Sequence, residues 1–277
     1  LEFRRVLFRS VTSLYNVVDS IFVGQIVGEI ALTAVTIAFP IMIFLMAIGM
    51  LIGVGAATMV SLRLGEKRHD DAEMILGNAL MLMVILILIT TGCLLYFLDS
   101  LLIDFLGVTP EVLPYARDFI SIILLGSIFM HVGFGLNNVI RAQGDPRTAL
   151  LTQVIAAIVN VALNYLLVFV LQMGIKGAAF ATVLAQATAA VWVVYYFTFG
   201  HGVLHFRAHC LWLHKPIVKD IFAIGIAPFL MQIISSAVMV IFNVRIQMYG
   251  GITAVAAYGI VMRMMTLITT PVIGISQ

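Results

Sequence analysis

Asp19 is the residue whose placement most needs an explanation. It lies in the middle of SLYNVVDSIFVGQIVG (13–28), inside a hydrophobic span, whereas Glu29, Asp99, Asp104 and Glu111 lie in the connections. A carboxylate at that depth costs ~2.5–3.5 kcal/mol on insertion scales, so it must be protonated, ion-paired or cation-bound. The chemistry on offer is therefore capture and release of a proton or a small cation. Two polar pairs lie in other apolar segments, Asn160 with Asn164 and Thr182 with Gln186. Each pair is spaced four residues apart and shares a helix face. Such amides and hydroxyls must satisfy one another, join helices, or hold a ligand; for Gln186 a role joining helices is the expected one.

Other groups invite chemistry and are weighed against plainer readings. Arg263, eleven residues past Ile252, falls near mid-bilayer and could line a cavity, pair with Asp19, or pair structurally. Arg245 lies nearer the outer surface, where its long side chain can snorkel. His201, His205 and His209 recur every four residues, as a metal-binding helix face would. Gly200 and Gly202 and the basic surroundings favour an amphipathic interfacial linker instead. Ser127 and His131 resemble a nucleophile and base, but no orienting acid accompanies them, so an enzyme is not expected. Gly49 and Gly53 are expected to mark a close helix contact. Tyr15, Phe22, Phe44 and Tyr258, with Gln186 and Arg263, are candidate walls of a substrate cavity.

The chain that must position these groups has 277 residues, 62% of them hydrophobic and 10% charged. With a mean hydropathy of +1.14 it is expected to be an all-α, multi-span membrane protein. The net charge of +2 resides in short clusters between apolar runs, which argues against nucleic-acid binding. Cys93 and Cys210 lie in unrelated surroundings and predict neither a disulfide nor a metal site. Residues 1–10, LEFRRVLFRS, end in the translation of a common sequencing adapter, so that segment is expected to be non-native. TTPVIGISQ (269–277) stops inside an apolar segment, and the chain is expected to be a fragment.

Eight spans are predicted, at 11–27, 30–64, 71–97, 114–140, 147–171, 176–199, 220–249 and 252–277. Pro40 predicts a kink, and Pro228 and Pro271 predict interior breaks. Thr109-Pro110-Glu111 and Asp145-Pro146 each place a capping side chain before a proline suited to a first turn. Lys and Arg gather in alternate connections: Arg63, Lys67 and Arg68, then Arg141 and Arg147, then Arg207, Lys215 and Lys219. Those loops are expected to be cytoplasmic, with the N-terminus inside a plasma membrane. GEIALTAVTI (28–37) overlies GITAVAAYGI (251–260) with Gly, Ala, Ala and Ile in common. Six spans separate the copies, which predicts a parallel repeat.

Taken in order, VDSIFVG (18–24), LGEKR (64–68) with LGNAL (76–80), GFGLNNVIRAQGDPR (133–147) and MGIKGAAFATVLAQ (173–186) resemble the multidrug and toxic-compound extrusion family across residues 11–277. The resemblance implies twelve helices in two six-helix bundles that rock about a central cavity. Here 11–199 would be the first bundle, 200–219 the cytoplasmic linker, and 220–277 the first two helices of the second. In one branch of that family a cation site uses positions that fall on Asp19, Asn160, Asn164 and Thr182. Asn164 departs from the pattern, which has Asp. An amide can still offer Na⁺ a hard oxygen, but it cannot take a proton and removes one negative charge.

The resemblance implies a monomeric antiporter that exports amphipathic, often cationic compounds against inward H⁺ or Na⁺, these ions being transported and not resident cofactors. A lipid-linked precursor flippase of the same superfamily is the nearest alternative. A channel or receptor is a rival of another class, for which the sequence shows neither a pore-loop filter nor a ligand domain.

Overall fold

The computed structural model describes residues 29–276, apart from 201, 208, 209 and 211. The segment carrying Asp19, Tyr15 and Phe22 lies outside the described residues. The long helices are α1 (Glu29–Gly65), α2 (His69–Tyr96), α3 (Leu113–Ala142), α4 (Pro146–Asn164), α5 (Gly174–Phe199) and α6 (Lys215–Ser276). All six contain stretches long and apolar enough to cross a membrane. Their ends fall close to those of the predicted second to eighth spans. Two π-helical segments, Leu101–Phe105 and Tyr165–Val170, lead out of α2 and α4.

α6 comprises the two spans predicted at 220–249 and 252–277, joined at the non-helical backbone of Gly251 (φ 66°, ψ −163°). The chain doubles back there, because Asn243 and Gly259, on opposite sides of the glycine, both reach Thr36 of α1. Phe242 and Tyr258 stack 6.2 Å apart across the same hairpin. Thr36 and Gly259 occupy the same position in the two copies of the ten-residue repeat, so the related segments touch at equivalent points. Thr33 adds a hydrogen bond from Oγ1 to the Ile252 carbonyl, at 3.2 Å.

Two expectations about helix breakers are corrected. Pro228 and Pro271 do not interrupt α6; helices in apolar surroundings accept proline when neighbours satisfy the carbonyl it frees. That compensation is visible at Pro40, which lies within a continuous α1. Lacking an N–H, Pro40 leaves the Thr36 carbonyl without its helical donor, and Asn243 Nδ2 supplies one at 3.3 Å. The second correction concerns Thr109, whose hydroxyl caps nothing; α3 begins at Leu113, and the Thr109 carbonyl accepts the amides of Val112 and Leu113. Asp145 does cap α4, accepting the Thr148 amide at 3.1 Å with Pro146 in the first turn.

α1 packs along α2, α3 and α6 and is the spine of the described structure. One apolar core gathers Ile37, Leu45, Leu102 and Leu124, and a second gathers Ile52, Leu76, Met83 and Phe197. Gly53 lies against Gly135 of α3, which bears out the close contact expected of it. Gly225 of α6 lies so near Leu51 that a Cβ would overlap the Leu51 carbonyl.

The described residues of the connection from α5 to α6 are largely non-helical and are fastened to the start of α2. Arg207 Nε lies 2.7 Å from Oε2 of Glu73, a carboxylate only 5% exposed. The His205 amide donates to Oε1 of the same acid. Asn78 accepts the His214 amide at 2.7 Å and donates to the Cys210 carbonyl at 3.3 Å. Cys210 is buried, Cys93 is exposed, and neither is in a disulfide. His201 and His209 lie outside the described residues, while the His205 ring faces the Gly200 carbonyl at 3.0 Å.

Candidate functional site

Asn160 and Asn164 end α4 on one buried face, at 2% and 1% exposure. Asn164 Nδ2 donates to Asn160 Oδ1 at 3.1 Å, as their four-residue spacing allows. Asn164 Oδ1 is buried and has no hydrogen-bond donor among the described residues. Asn164 is also the last α-helical residue before the π-helical Tyr165–Val170, where the wider turn changes the direction of later side chains. A buried carbonyl oxygen without a donor is a ligand in waiting for a hard cation or a hydrogen-bond donor.

α5 packs against α4 and carries Thr182 and Gln186, both half-buried. Thr182 Oγ1 donates to the Ala178 carbonyl one turn back, at 3.0 Å, which commits its proton and leaves its lone pairs able to accept or coordinate. The oxygens of this region are neutral, so a bound cation would need its counter-charge from elsewhere. Asp19, the residue expected to supply it, lies outside the described residues. Phe44 is half-buried on α1, and Tyr258 is half-buried and stacked on Phe242. Arg263 is on the returning half of α6; its side chain is outside the description.

A cleft of about 870 Å³ opens between α1 and α3 at the end that carries the basic connections. Val54, Thr58, Ser61, Asn138 and Arg141 line it. Arg141 donates to Asn138 Oδ1 at 2.8 Å, and Arg63 pairs with Glu66 at the rim, at 2.7 Å. The sequence gives none of these lining residues a site role, and Arg141 counts there only toward topology. Thr58 and Ser61 sit three apart in an otherwise apolar run, which was the one available signal.

With this geometry in place, comparison with known proteins decides the family. The family model described as MatE matches residues 6–166. The chain belongs to the MatE family. MatE proteins are membrane transporters, not enzymes. Multidrug export protein MepA of Staphylococcus haemolyticus (strain JCSC1435) is 28% identical over 264 residues, which is 95% of this chain and 58% of MepA. The solved structure of the MATE multidrug transporter DinF-BH is similar at a TM-score of 0.93 and 35% identity, over 99% of this chain and 61% of that one. An inward-facing MATE family transporter of the MOP superfamily aligns at a TM-score of 0.89 and 26% identity, over 99% of this chain and 63% of that one. The chain thus spans about three fifths of the length of the proteins it matches. The described helices are accordingly a truncated MatE fold.

Proposed function

We propose that this chain is part of a secondary-active exporter of amphipathic, often cationic organic compounds, driven by inward H⁺ or Na⁺. The observation that carries this reading is the buried Asn160–Asn164 pair, with an oxygen that no described residue donates to, at the α-to-π junction of a MatE-family bundle. Asp19 supplies the charge that is neutralised on ion binding; Asn160, Asn164 and Thr182 supply oxygens. For coupling, the ion and the organic substrate must prefer different arrangements of the two bundles, since equal affinity shifts no population. Tyr15, Phe22, Phe44, Gln186, Tyr258 and Arg263 are proposed to line the substrate path. We place the protein, as a monomer with a cytoplasmic N-terminus, in the plasma membrane.

The test is exchange of a labelled organic cation in proteoliposomes holding the full-length gene product. Uptake against a gradient that follows imposed pH or Na⁺ supports the exporter; passive current identifies a channel. Flip of an anionic lipid-linked precursor identifies a flippase. Wild-type exchange by Asp19→Asn across a pH and Na⁺ series removes the coupling assignment.

A further inference from the structure

His131 of α3 is 1% exposed and is used by neither the fold's caps nor the proposed cation site. Its two ring nitrogens both face backbone carbonyls. Nδ1 lies 2.8 Å from the Ser127 oxygen in the preceding turn, and Nε2 lies 2.7 Å from the Leu45 oxygen of α1. A carbonyl oxygen only accepts, and unlike a hydroxyl or an amide it cannot turn to present a proton. A neutral imidazole has one N–H, so either tautomer leaves a bare nitrogen pressed against an oxygen lone pair. An imidazolium has two N–H groups and satisfies both carbonyls.

We propose that His131 is a proton-binding site of the first bundle, whose protonated ring clasps α1 to α3. Burial opposes the charge, and two charge-assisted hydrogen bonds favour it. Among the described residues of α1, α2, α3 and α5, few groups could compete. α1 has no titratable side chain between Glu29 and Arg63, and α3 has no other between Asp118 and Arg141. α2 contributes only Cys93 and Tyr96 beyond Glu73, and α5 only Tyr195 and Tyr196 beyond Lys176. The nearer polar neighbours are hydroxyls: Thr91 Oγ1 and Ser127 Oγ bond to each other at 2.9 Å, and Ser127 Oγ donates to the Leu124 carbonyl at 2.6 Å. α1 also packs along α6, so a proton on His131 fixes the helix against which α6 rests. Loss of the proton replaces one tie by a repulsion and frees α1 beyond Pro40 to move. In this way proton occupancy would be read out as bundle movement. The role in transport rests on the exporter reading above, but the protonation chemistry does not.

The measurement is ¹⁵N-histidine magnetic resonance on the full-length gene product in lipid, with the His131 signals assigned by their loss in His131→Gln. If that variant does not fold, replacing the other histidines assigns them instead. We expect one protonation step between about pH 5 and 8, ending with both ring nitrogens protonated. A ring that keeps one bare nitrogen throughout that range overturns the proposal. The two readings fail separately: Asp19→Asn exporting at the wild-type rate removes the Asp19 assignment even where His131 titrates. A His131 that stays neutral removes this proposal even where Asp19→Asn abolishes exchange.

Discussion

Asn243 Nδ2 donates to the carbonyl oxygen of Thr36 at 3.3 Å, and that oxygen is the one Pro40 leaves without a helical donor. A defect in α1 is thus repaired by α6. Asn243→Leu should cost about 1–3 kcal/mol, the penalty of a buried carbonyl left unsatisfied. Pro40→Ala restores the missing N–H, so in the double variant the loss should be smaller than the sum of the two single losses. Thermal unfolding in detergent measures all four corners of the cycle, and strict additivity would show that the repair is unimportant.

The approach of α6 to α1 at Gly225 leaves no room for a side chain. Gly225→Ala should destabilise by about 1–3 kcal/mol, because the methyl group meets the Leu51 backbone and not a side chain that can turn away. Gly92→Ala is the control, since a Cβ there meets nothing within 4 Å and the better helix former should be neutral or slightly stabilising. Equal melting behaviour in the two variants would contradict the close approach.

The linker after α5 is expected to come loose when its anchor is cut. Arg207→Met removes the partner of Glu73, a carboxylate 5% exposed, while keeping much of the arginine's apolar length. The ion pair is half open to solvent on the arginine side, so the loss should be modest, about 1–2 kcal/mol. Limited proteolysis within 200–214 should accelerate before global unfolding does, and unchanged cleavage would mean the contact does not hold the segment down.

Acid sensitivity should trace in part to Asp145. Burial pushes its carboxyl up, but hydrogen bonds from the Thr148 hydroxyl and amide, and from the Tyr196 hydroxyl, together hold it below the ordinary carboxylate range. A group depressed on folding stabilises above its unfolded pKa, about 3.9 for Asp, and that stabilisation is lost as pH falls through the folded value. The melting temperature should therefore drop on acidification below about pH 4, and Asp145→Asn should flatten that drop while lowering stability at neutral pH. A wild-type acid profile in Asp145→Asn would place the sensitivity elsewhere.

Asn164→Asp restores a second carboxylate to the proposed cation site and removes the donor that now occupies Asn160 Oδ1. Both changes free oxygens for a cation. Affinity for Na⁺ should rise by about tenfold, as an added ligand charge does at other hard-cation sites. Equilibrium Na⁺ binding to the full-length gene product checks this, and an unchanged affinity would separate α4 from the ion path.

Much of the fold was legible because long apolar runs in a membrane protein have few alternatives to helices, so spans such as 176–199 could be read almost to the residue. The prolines were misread for a reason of partnership. Whether Pro228 breaks a helix depends on what its neighbours donate, and that is tertiary information. Asn160 and Asn164 were legible by spacing and share a face as expected. The cleft at Thr58, Ser61 and Asn138 was not, because small polar residues at a helix surface have the same spacing whether they face lipid, protein or water. The His131 geometry was out of reach for a similar cause: its two acceptors are main-chain atoms, and one belongs to a residue 86 positions away.

At Gly251 one residue reverses the chain between two long helices whose rings and amides are in contact within a few turns. A reversal that short has no slack to donate. An epitope tag or fluorophore placed at 250–252 would pry open the stacked Phe242 and Tyr258 and unseat Asn243 from Thr36, so reporters for this half of the molecule belong elsewhere.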